Sequence, residues 1–81
     1  MRHGSPRLGV ILETARLSRG MSVRSAAKAA GISAPFLLRL EQAQRRPSAA
    51  VAAELSRVYR LSGYEADILE AESVPRASSA G

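Results

Sequence analysis

The sequence contains no cysteine and only one histidine, His3. The lack of cysteine excludes disulfides and cysteine-based metal sites, and a reducing cytoplasm is the natural compartment for such a chain. His3 lies in the opening stretch MRHGS, and we expect residues 1–6 to be a disordered N-terminus or an expression leftover. A lone histidine does not form a metal-ligand set, so we expect no metal site.

Long hydrophobic runs are also missing. No apolar stretch approaches the roughly 20 residues that span a bilayer, and none has the pattern of a signal peptide. We therefore expect a soluble, cytoplasmic protein without a membrane partner. The sequence has no glycine-rich phosphate loop after a strand and no Ser/His/Asp set. We expect no catalytic activity and no cofactor.

Acidic residues are few and unevenly placed. The chain has 81 residues, of which 12 are basic and 7 acidic, and its net charge is +5. Residues 1–46 contain nine basic and two acidic residues, whereas residues 47–81 contain three basic and five acidic ones. This asymmetry favours a polyanionic partner, with solvated surface arginines as the alternative. So short a chain forms one small domain that dimerisation would help to stabilise.

Two short helices are predicted on either side of Gly31. Ser22 is an N-cap residue before an alanine run, and Gly31 can adopt the positive φ that ends a helix, which predicts a helix over residues 23–30. Ser33 is a second N-cap and Pro35 suits a first helical turn, so a second helix runs through Glu41. Two such helices joined by a short turn form a helix-turn-helix unit.

Three further helices follow from apolar residues recurring at helical spacing. They are predicted from residue 6 or 7 to 19, from about 48 to 61 and from 64 to 72, with Ser62 and Glu65 at the spacing of a capping box. The predicted core comprises Leu8, Ile11, Leu12, Ala15, Met21, Ile32, Phe36, Leu37, Leu40, Val51, Ala52, Leu55, Val58 and Tyr59, with Tyr64, Ile68 and Leu69 as the apolar side of the last helix. Residues 73–81 are expected to be a disordered tail.

The segment AAKAAGISAPFLLRLEQAQRRPS, residues 26–48, resembles the helix-turn-helix of the Cro and phage-repressor (XRE-like) family in residue type and spacing. The matching positions are Ala27, Gly31, Ser33, Leu37, Arg39, Leu40, Glu41, Pro47 and Ser48. The resemblance implies an all-α, compact four- to five-helix lambda-repressor-like domain over residues 7–72. It also implies a sequence-specific transcriptional regulator, a repressor, whose residues 34–42 enter the major groove of double-stranded DNA. Such a protein would be a homodimer of bacterial or phage origin, associated with the nucleoid when bound.

The expected DNA contacts form two groups. The residues expected to face the bases are Ala34, Pro35, Leu38 and Arg39. The residues expected at phosphates are Ser22, Val23, Arg24, Lys28, Ser33, Gln42, Arg45 and Arg46. Arg39 has the fork that fits guanine O6 and N7, and a phosphate contact is its alternative role. The resemblance also implies an ion pair between Arg16 and Glu41 that holds the recognition helix in place.

The sequence departs from the family pattern at several positions. Val23 stands where glutamine is common, and three of the four base-facing positions are apolar, which limits hydrogen-bonded reading of bases. Ala43 stands where a glycine commonly closes the recognition helix, and a positive φ there would cost roughly 1 kcal/mol. The alternative function is therefore a protein-interaction module on the same fold, antitoxin-like or binding the transcription machinery, which docks through the Phe36/Leu38 region.

Two apolar surfaces are candidates for the dimer interface. One is the strip of Val10 and Leu17, on the side of the first helix opposite its core residues. The other is the apolar side of the last helix around Ile68 and Leu69. Tolerated single exposed residues are the alternative interpretation of the strip.

Overall fold

A computed structural model of the chain describes residues 6–74. Five helices account for most of these residues: α1 Pro6–Ser18, α2 Val23–Ala30, α3 Ala34–Glu41, α4 Ala49–Tyr59 and α5 Gly63–Glu72. The described residues contain one isolated β-bridge and no strand, so the predicted all-α class with a helix-turn-helix is confirmed. α2 and α3 begin at the predicted residues, whereas α1 ends one residue and α4 two residues earlier than predicted.

Serine side chains start three of the helices. The hydroxyls of Ser22, Ser33 and Ser48 each accept a hydrogen bond from the amide three residues on, at donor–acceptor distances of 3.0, 3.1 and 3.2 Å. The amide of Ser22 in turn donates to the hydroxyl of Ser25 at 3.0 Å, which completes a capping box at the start of α2. These caps satisfy amides that have no partner within the helix, and so they fix where α2 and α3 begin.

The start of α5 differs from the sequence prediction. The side chain of Ser62 makes no capping hydrogen bond, and the amide of Glu65 donates instead to the carbonyl oxygen of Ser62 at 3.1 Å. The predicted Ser62/Glu65 capping box is therefore wrong, and α5 begins at Gly63, one residue early. Tyr64 is exposed rather than part of the apolar side of α5, because the chain enters this helix with that side chain turned to solvent.

The core lies where all five helices meet. Its large members are leucines of α1, α3, α4 and α5 together with Tyr59, and α2 contributes only alanines. Since alanine side chains are small, α2 lies close against α3 and α4, which gives the helix-turn-helix its tight crossing. The fully buried residues of this cluster are Leu8, Leu12, Ala26, Ala27, Ala30, Leu37, Leu40, Ala52, Leu55, Tyr59 and Leu69.

Gly9 permits a close contact between α1 and the end of α3. A Cβ atom at this position would overlap the carbonyl oxygen of Glu41 and lie 3.1 Å from its carbonyl carbon. The backbone of α1 therefore runs directly against the end of α3. A glycine inside a helical pattern is the sequence signal for such an approach, and Gly9 is not among the residues predicted above to form the core or the site.

The described structure includes Pro6 and Val74, which lie in the expected terminal segments. Pro6 is the first residue of α1. Beyond α5, the amide of Val74 donates to the carbonyl of Pro47 at 2.7 Å, and the amide of Ala49 donates to the carbonyl of Val74 at 3.1 Å. The rest of the expected terminal segments, residues 1–5 and 75–81, lies outside the described residues. Among the described helices, none combines the length and the apolar character that a membrane span requires.

Candidate nucleic-acid interface

α3 presents one side to the core and the other to solvent. Of the residues predicted to face outward, Pro35, Leu38, Arg39 and Gln42 are exposed. Ala34 is only half-exposed, because it also packs against the core cluster. The outward side is therefore formed by a proline, a leucine, an arginine and a glutamine, while the two buried leucines of α3 occupy its opposite side.

Arg39 is the cation at the centre of this outward side. Its guanidinium makes no hydrogen bond or ion pair with any other residue between 6 and 74. Because it is planar and carries paired N–H donors, it can bind two acceptors on one guanine edge or two oxygens of one phosphate. Because the side chain of Arg39 points away from the core, either contact is sterically possible.

Arg45 lies in the loop that follows α3. Its guanidinium carbon is 5.9 Å from the centroid of the Phe36 ring, a distance at which a cation is attracted to the face of an aromatic ring. Phe36, predicted as core, is half-buried and supplies this ring from the edge of α3. The contact restricts where the cation of Arg45 can be, while the residue itself stays exposed.

The start of α2 adds a second group of predicted phosphate contacts. Arg24 and Lys28 are exposed one turn apart on α2, and Ser22 is exposed at its N-cap. Val23 is half-buried against the core, so only its amide is suited to an anion. The first amides of any helix lack intrahelical acceptors and carry a partial positive charge.

Two other predicted phosphate contacts have local roles. The hydroxyl of Ser33 accepts from the amide of Phe36, so it is occupied in capping α3. Arg46 is half-buried, and its Nε donates to the carbonyl oxygen of Glu72 at 2.9 Å while Nη2 lies 3.5 Å from the carbonyl of Ser73. Arg46 therefore ties the loop after α3 to the C-terminal end of α5, and a phosphate would have to compete with these carbonyls.

Arg16 and Glu41 join α1 to the end of α3. Arg16 Nε lies 2.7 Å from Glu41 Oε2, and Nη2 donates to Oε1 at 3.1 Å. Arg16 Nη1 also donates to the carbonyl of Met21 at 2.9 Å. The two side chains are only 10% and 4% exposed, and the hydrogen bond to Glu41 raises the pKa of Arg16. A buried carboxylate with a bidentate partner is held far more firmly than a surface pair.

This ion pair also determines the charge of the surface. Glu41 is the only acidic residue between Glu13 and Glu54 in the sequence. Because its carboxylate is turned inward onto Arg16, the exposed side of α2 and α3 carries cations without a carboxylate among them. The four exposed cations of that region are Arg24, Lys28, Arg39 and Arg45.

Tyr59 of α4 lies beneath the same junction. The residue is fully buried, and within residues 6–74 its hydroxyl has no hydrogen-bond partner. Burial raises the pKa of Tyr59 to about 12, the nearby negative charge of Glu41 adds to the effect, and Arg16 opposes it. The carbonyl oxygen of the same residue accepts a hydrogen bond from Arg19 Nε at 2.9 Å.

The two surfaces predicted for dimerisation differ in the structure. Ile68 and Leu69 are buried in the monomer, so the α5 surface is not available and that prediction is wrong. Val10 and Leu17 are exposed on α1. A groove beside Val10, between α1 and the α4–α5 connection, continues this strip. Of the two surfaces predicted for the dimer, the α1 strip is the one that is exposed in residues 6–74.

Comparisons with known proteins agree with this architecture. A model of the family described as "Helix-turn-helix domain" matches residues 7–69, which cover nearly all of α1, the whole of α2, α3 and α4, and most of α5. Neither the curated proteins nor the solved structures give a significant match to the chain.

Proposed function

Because the chain belongs to the helix-turn-helix domain family, we propose that it is a sequence-specific regulator of transcription that binds double-stranded DNA. In this proposal α3 enters the major groove, which is about 12 Å wide and admits one helix. The observation that carries the proposal is the outward side of α3, where Arg39 is exposed and unpaired among the described residues and no carboxylate stands beside it. A cationic surface without anions is the electrostatic partner of a phosphate backbone.

The side chains divide between reading bases and binding phosphates. Arg39 is proposed to pair with guanine O6 and N7 from the last turn of α3. Arg24, Lys28 and Arg45 surround α3 and are proposed to contact phosphates, which fix the position of the helix without carrying sequence information. Gln42 lies at the C-terminal end of the outward side and is proposed to contact the backbone there.

We propose that the protein acts as a repressor and as a homodimer. Occupying a site is sufficient to block other proteins from it, so the DNA-binding surface alone would be enough for repression. One helix in one groove reads too few base pairs to select a site in a genome, whereas a dimer places two recognition helices about 34 Å apart. The exposed strip of Val10 and Leu17 supports this arrangement. Sedimentation that shows only monomer at about tens of micromolar, with and without DNA, would count against it.

The proposal places the protein in the cytoplasm of a bacterial or phage-infected cell, on the nucleoid when bound. The all-α fold, the absence of cysteine from the sequence and the basic α2–α3 surface support this setting.

Selection of binding sites from random duplex DNA, with wild type and Arg39→Ala in parallel, tests the base-reading role. We expect Arg39→Ala to weaken binding to the wild-type site by about 1 to 3 kcal/mol and to lose the preference at one base pair. Arg57→Ala is the matched control, because Arg57 is also an exposed helical arginine and lies on α4, outside the proposed interface. A loss that is uniform over all sequences would make Arg39 a phosphate contact instead.

A protein-interaction module is the second candidate function, and one observation favours it. Leu38 is 43% exposed beside the half-buried Phe36, so α3 presents apolar area that could bind a protein such as a toxin or a polymerase subunit. Binding to such a partner would depend weakly on salt, whereas DNA binding falls steeply as salt rises.

A further inference from the structure

Leu38 is an exposed apolar side chain in the middle of a cationic surface. The large hydrophobic side chains exposed among the described residues are Val10, Leu17, Leu38, Tyr64 and Val74. Of these, only Leu38 belongs to the helix-turn-helix, and it takes no part in the core cluster. Pro35 is exposed one helical turn earlier, so the two side chains form a continuous apolar strip along the outward side of α3.

The surroundings of this strip restrict what can cover it. Arg39 follows Leu38 directly, and Arg24, Lys28 and Arg45 are the other exposed cations of α2, α3 and the following loop. These surroundings favour an occupant that is a polyanion and also offers a small apolar group. In the major groove of DNA the one apolar group on the base edges is the C5-methyl group of thymine.

We infer that Leu38, with Pro35 beside it, reads the C5-methyl group of a thymine next to the guanine bound by Arg39. This inference rests on the proposed DNA-binding function and specifies which bases the site contains. Leu38 and Arg39 are successive residues, about 100° apart around the helix, so they reach neighbouring base pairs rather than the same one. The preferred site should then contain a T·A pair within one or two base pairs of that guanine.

The two contacts differ in strength. A guanine bound through two hydrogen bonds discriminates by about 5- to 150-fold, which corresponds to about 1 to 3 kcal/mol. Burying one methyl group contributes about 0.8 kcal/mol, or about fourfold in affinity. Thymine should therefore be the weaker of the two preferences in the selected sites, and Leu38→Ala should remove it without affecting the guanine.

The test replaces that thymine by deoxyuridine, which differs from it only by the missing methyl group. We expect wild type to bind the deoxyuridine duplex about fourfold more weakly and Leu38→Ala to bind both duplexes equally well. Gln44→Ala is the control, because Gln44 is exposed in the loop after α3, has no part in the proposed interface and should keep the full deoxyuridine effect. A duplex pair with cytosine or 5-methylcytosine at the same position should show the same preference for the methyl group.

The possible results separate the inference from the proposed function. Equal binding of thymine and deoxyuridine duplexes by wild type, with salt-dependent binding intact, overturns the methyl contact and leaves the DNA-binding function standing. Absence of salt-dependent binding to any duplex overturns both. Unchanged DNA binding by Leu38→Ala, together with loss of binding to a protein partner, would assign Leu38 to a protein interface and also overturn the inference. Because Leu38 is exposed, chemical denaturation should show that Leu38→Ala folds as wild type does.

Discussion

Both sides of α3 carry charged and apolar residues. On the inner side these residues are packed and paired within the fold, and on the outer side they are exposed. On the inner side Glu41 binds Arg16, and both side chains are buried. On the outer side Arg39 is exposed and has no partner among residues 6–74, and the neighbouring Leu38 stays out of the core. An arginine on the inner side therefore stabilises the fold, while one on the outer side remains available to a ligand. The charge that would repel DNA, the carboxylate of Glu41, is kept on the inner side.

The same distinction applies to the other arginines of the basic N-terminal half. Arg19 donates to the carbonyl oxygen of Tyr59, and Arg46 donates to that of Glu72. These carbonyls lie at the C-terminal ends of α4 and α5, where backbone acceptors lack helical partners and a positive charge is favourable. The positive charge counted along the sequence thus overstates the charge that faces DNA, because Arg16, Arg19 and Arg46 are engaged within the domain.

Removing the inner carboxylate should have the largest effect on stability. We expect Glu41→Ala to lower the free energy of unfolding by about 3 kcal/mol, because it leaves the buried guanidinium of Arg16 without its anionic partner. Chemical denaturation measures this loss. DNA affinity should fall only in proportion to the folded fraction, since Glu41 lies on the inner side.

The exposed pair of Glu54 and Arg57 is the matched control. Its closest approach, 2.6 Å, is as short as the 2.7 Å of the inner pair, but its side chains are 48% and 65% exposed. Glu54→Ala should therefore cost at most about 1 kcal/mol. If Glu41→Ala, Arg16→Ala and the double variant show additive losses without coupling, the inner pair does not hold α3 in place.

Alkaline pH should weaken the same junction through Tyr59. The pKa of this residue is about 12 in the folded protein against 10.0 for an unperturbed tyrosine, so folding favours its neutral form. The contribution is fully present below pH 10 and is lost as the pH rises through about 12, which amounts to about 2 to 3 kcal/mol. Denaturant unfolding of wild type and Tyr59→Phe between pH 8 and 12 measures it.

Tyr59→Phe should unfold less readily than wild type at high pH and be equally or slightly more stable near neutrality. The reason is that the buried hydroxyl has no hydrogen-bond partner among the described residues, so its removal forfeits no bond. Tyr64→Phe removes a hydroxyl from an exposed side chain and is the matched control. Identical alkaline transitions for Tyr59→Phe and wild type would show that folding does not raise the pKa of Tyr59.

A substitution just after α3 should change stability less than those above, and it should raise the free energy of unfolding. Ala43 has φ of +61°, the left-handed conformation that a glycine adopts without strain. We expect Ala43→Gly to raise the free energy of unfolding by about 1 kcal/mol, with DNA affinity unchanged. Thermal unfolding should show this as a rise of about 4 to 8 °C in Tm.

Ala53→Gly makes the same chemical change at an exposed position inside α4, where φ is helical. It should lower stability by about 1 kcal/mol, because glycine is a poor helix former. A stability loss for Ala43→Gly as well would mean that the loop after α3 carries no backbone strain.

The sequence predicts those parts of the fold that depend on local signals. Ser22, Ser33 and Gly31 act through atoms of residues three or four positions away, so the bounds of α2 and α3 follow from the sequence. At Ser62 the same kind of signal misleads, because the chain meets α5 through a backbone hydrogen bond and the side chain is not needed. Capping motifs in a sequence thus show where a helix can begin. Tertiary packing decides whether the side chain or the backbone makes the first hydrogen bond.

The contacts that the sequence does not predict join distant residues. Gly9 against Glu41, Arg19 on Tyr59 and Arg46 on Glu72 depend on how the helices are arranged in space, and no spacing along the chain encodes them. Arg46 illustrates the consequence. Its type and position predict a phosphate contact, and its hydrogen bond to the carbonyl oxygen of Glu72 is visible only in the structure. The outward residues of α3 are predictable, because the helical period alone separates them from the buried leucines.

The salt dependence of duplex binding tests most directly whether the outer side of α3 and its neighbouring cations form a DNA interface. The logarithm of the association constant of wild type should fall linearly with the logarithm of the salt concentration. Arg45→Ala should reduce the magnitude of that slope by about one, and Arg57→Ala should leave it unchanged. Binding that does not respond to salt, or a slope reduced by Arg57→Ala and not by Arg45→Ala, would contradict the account.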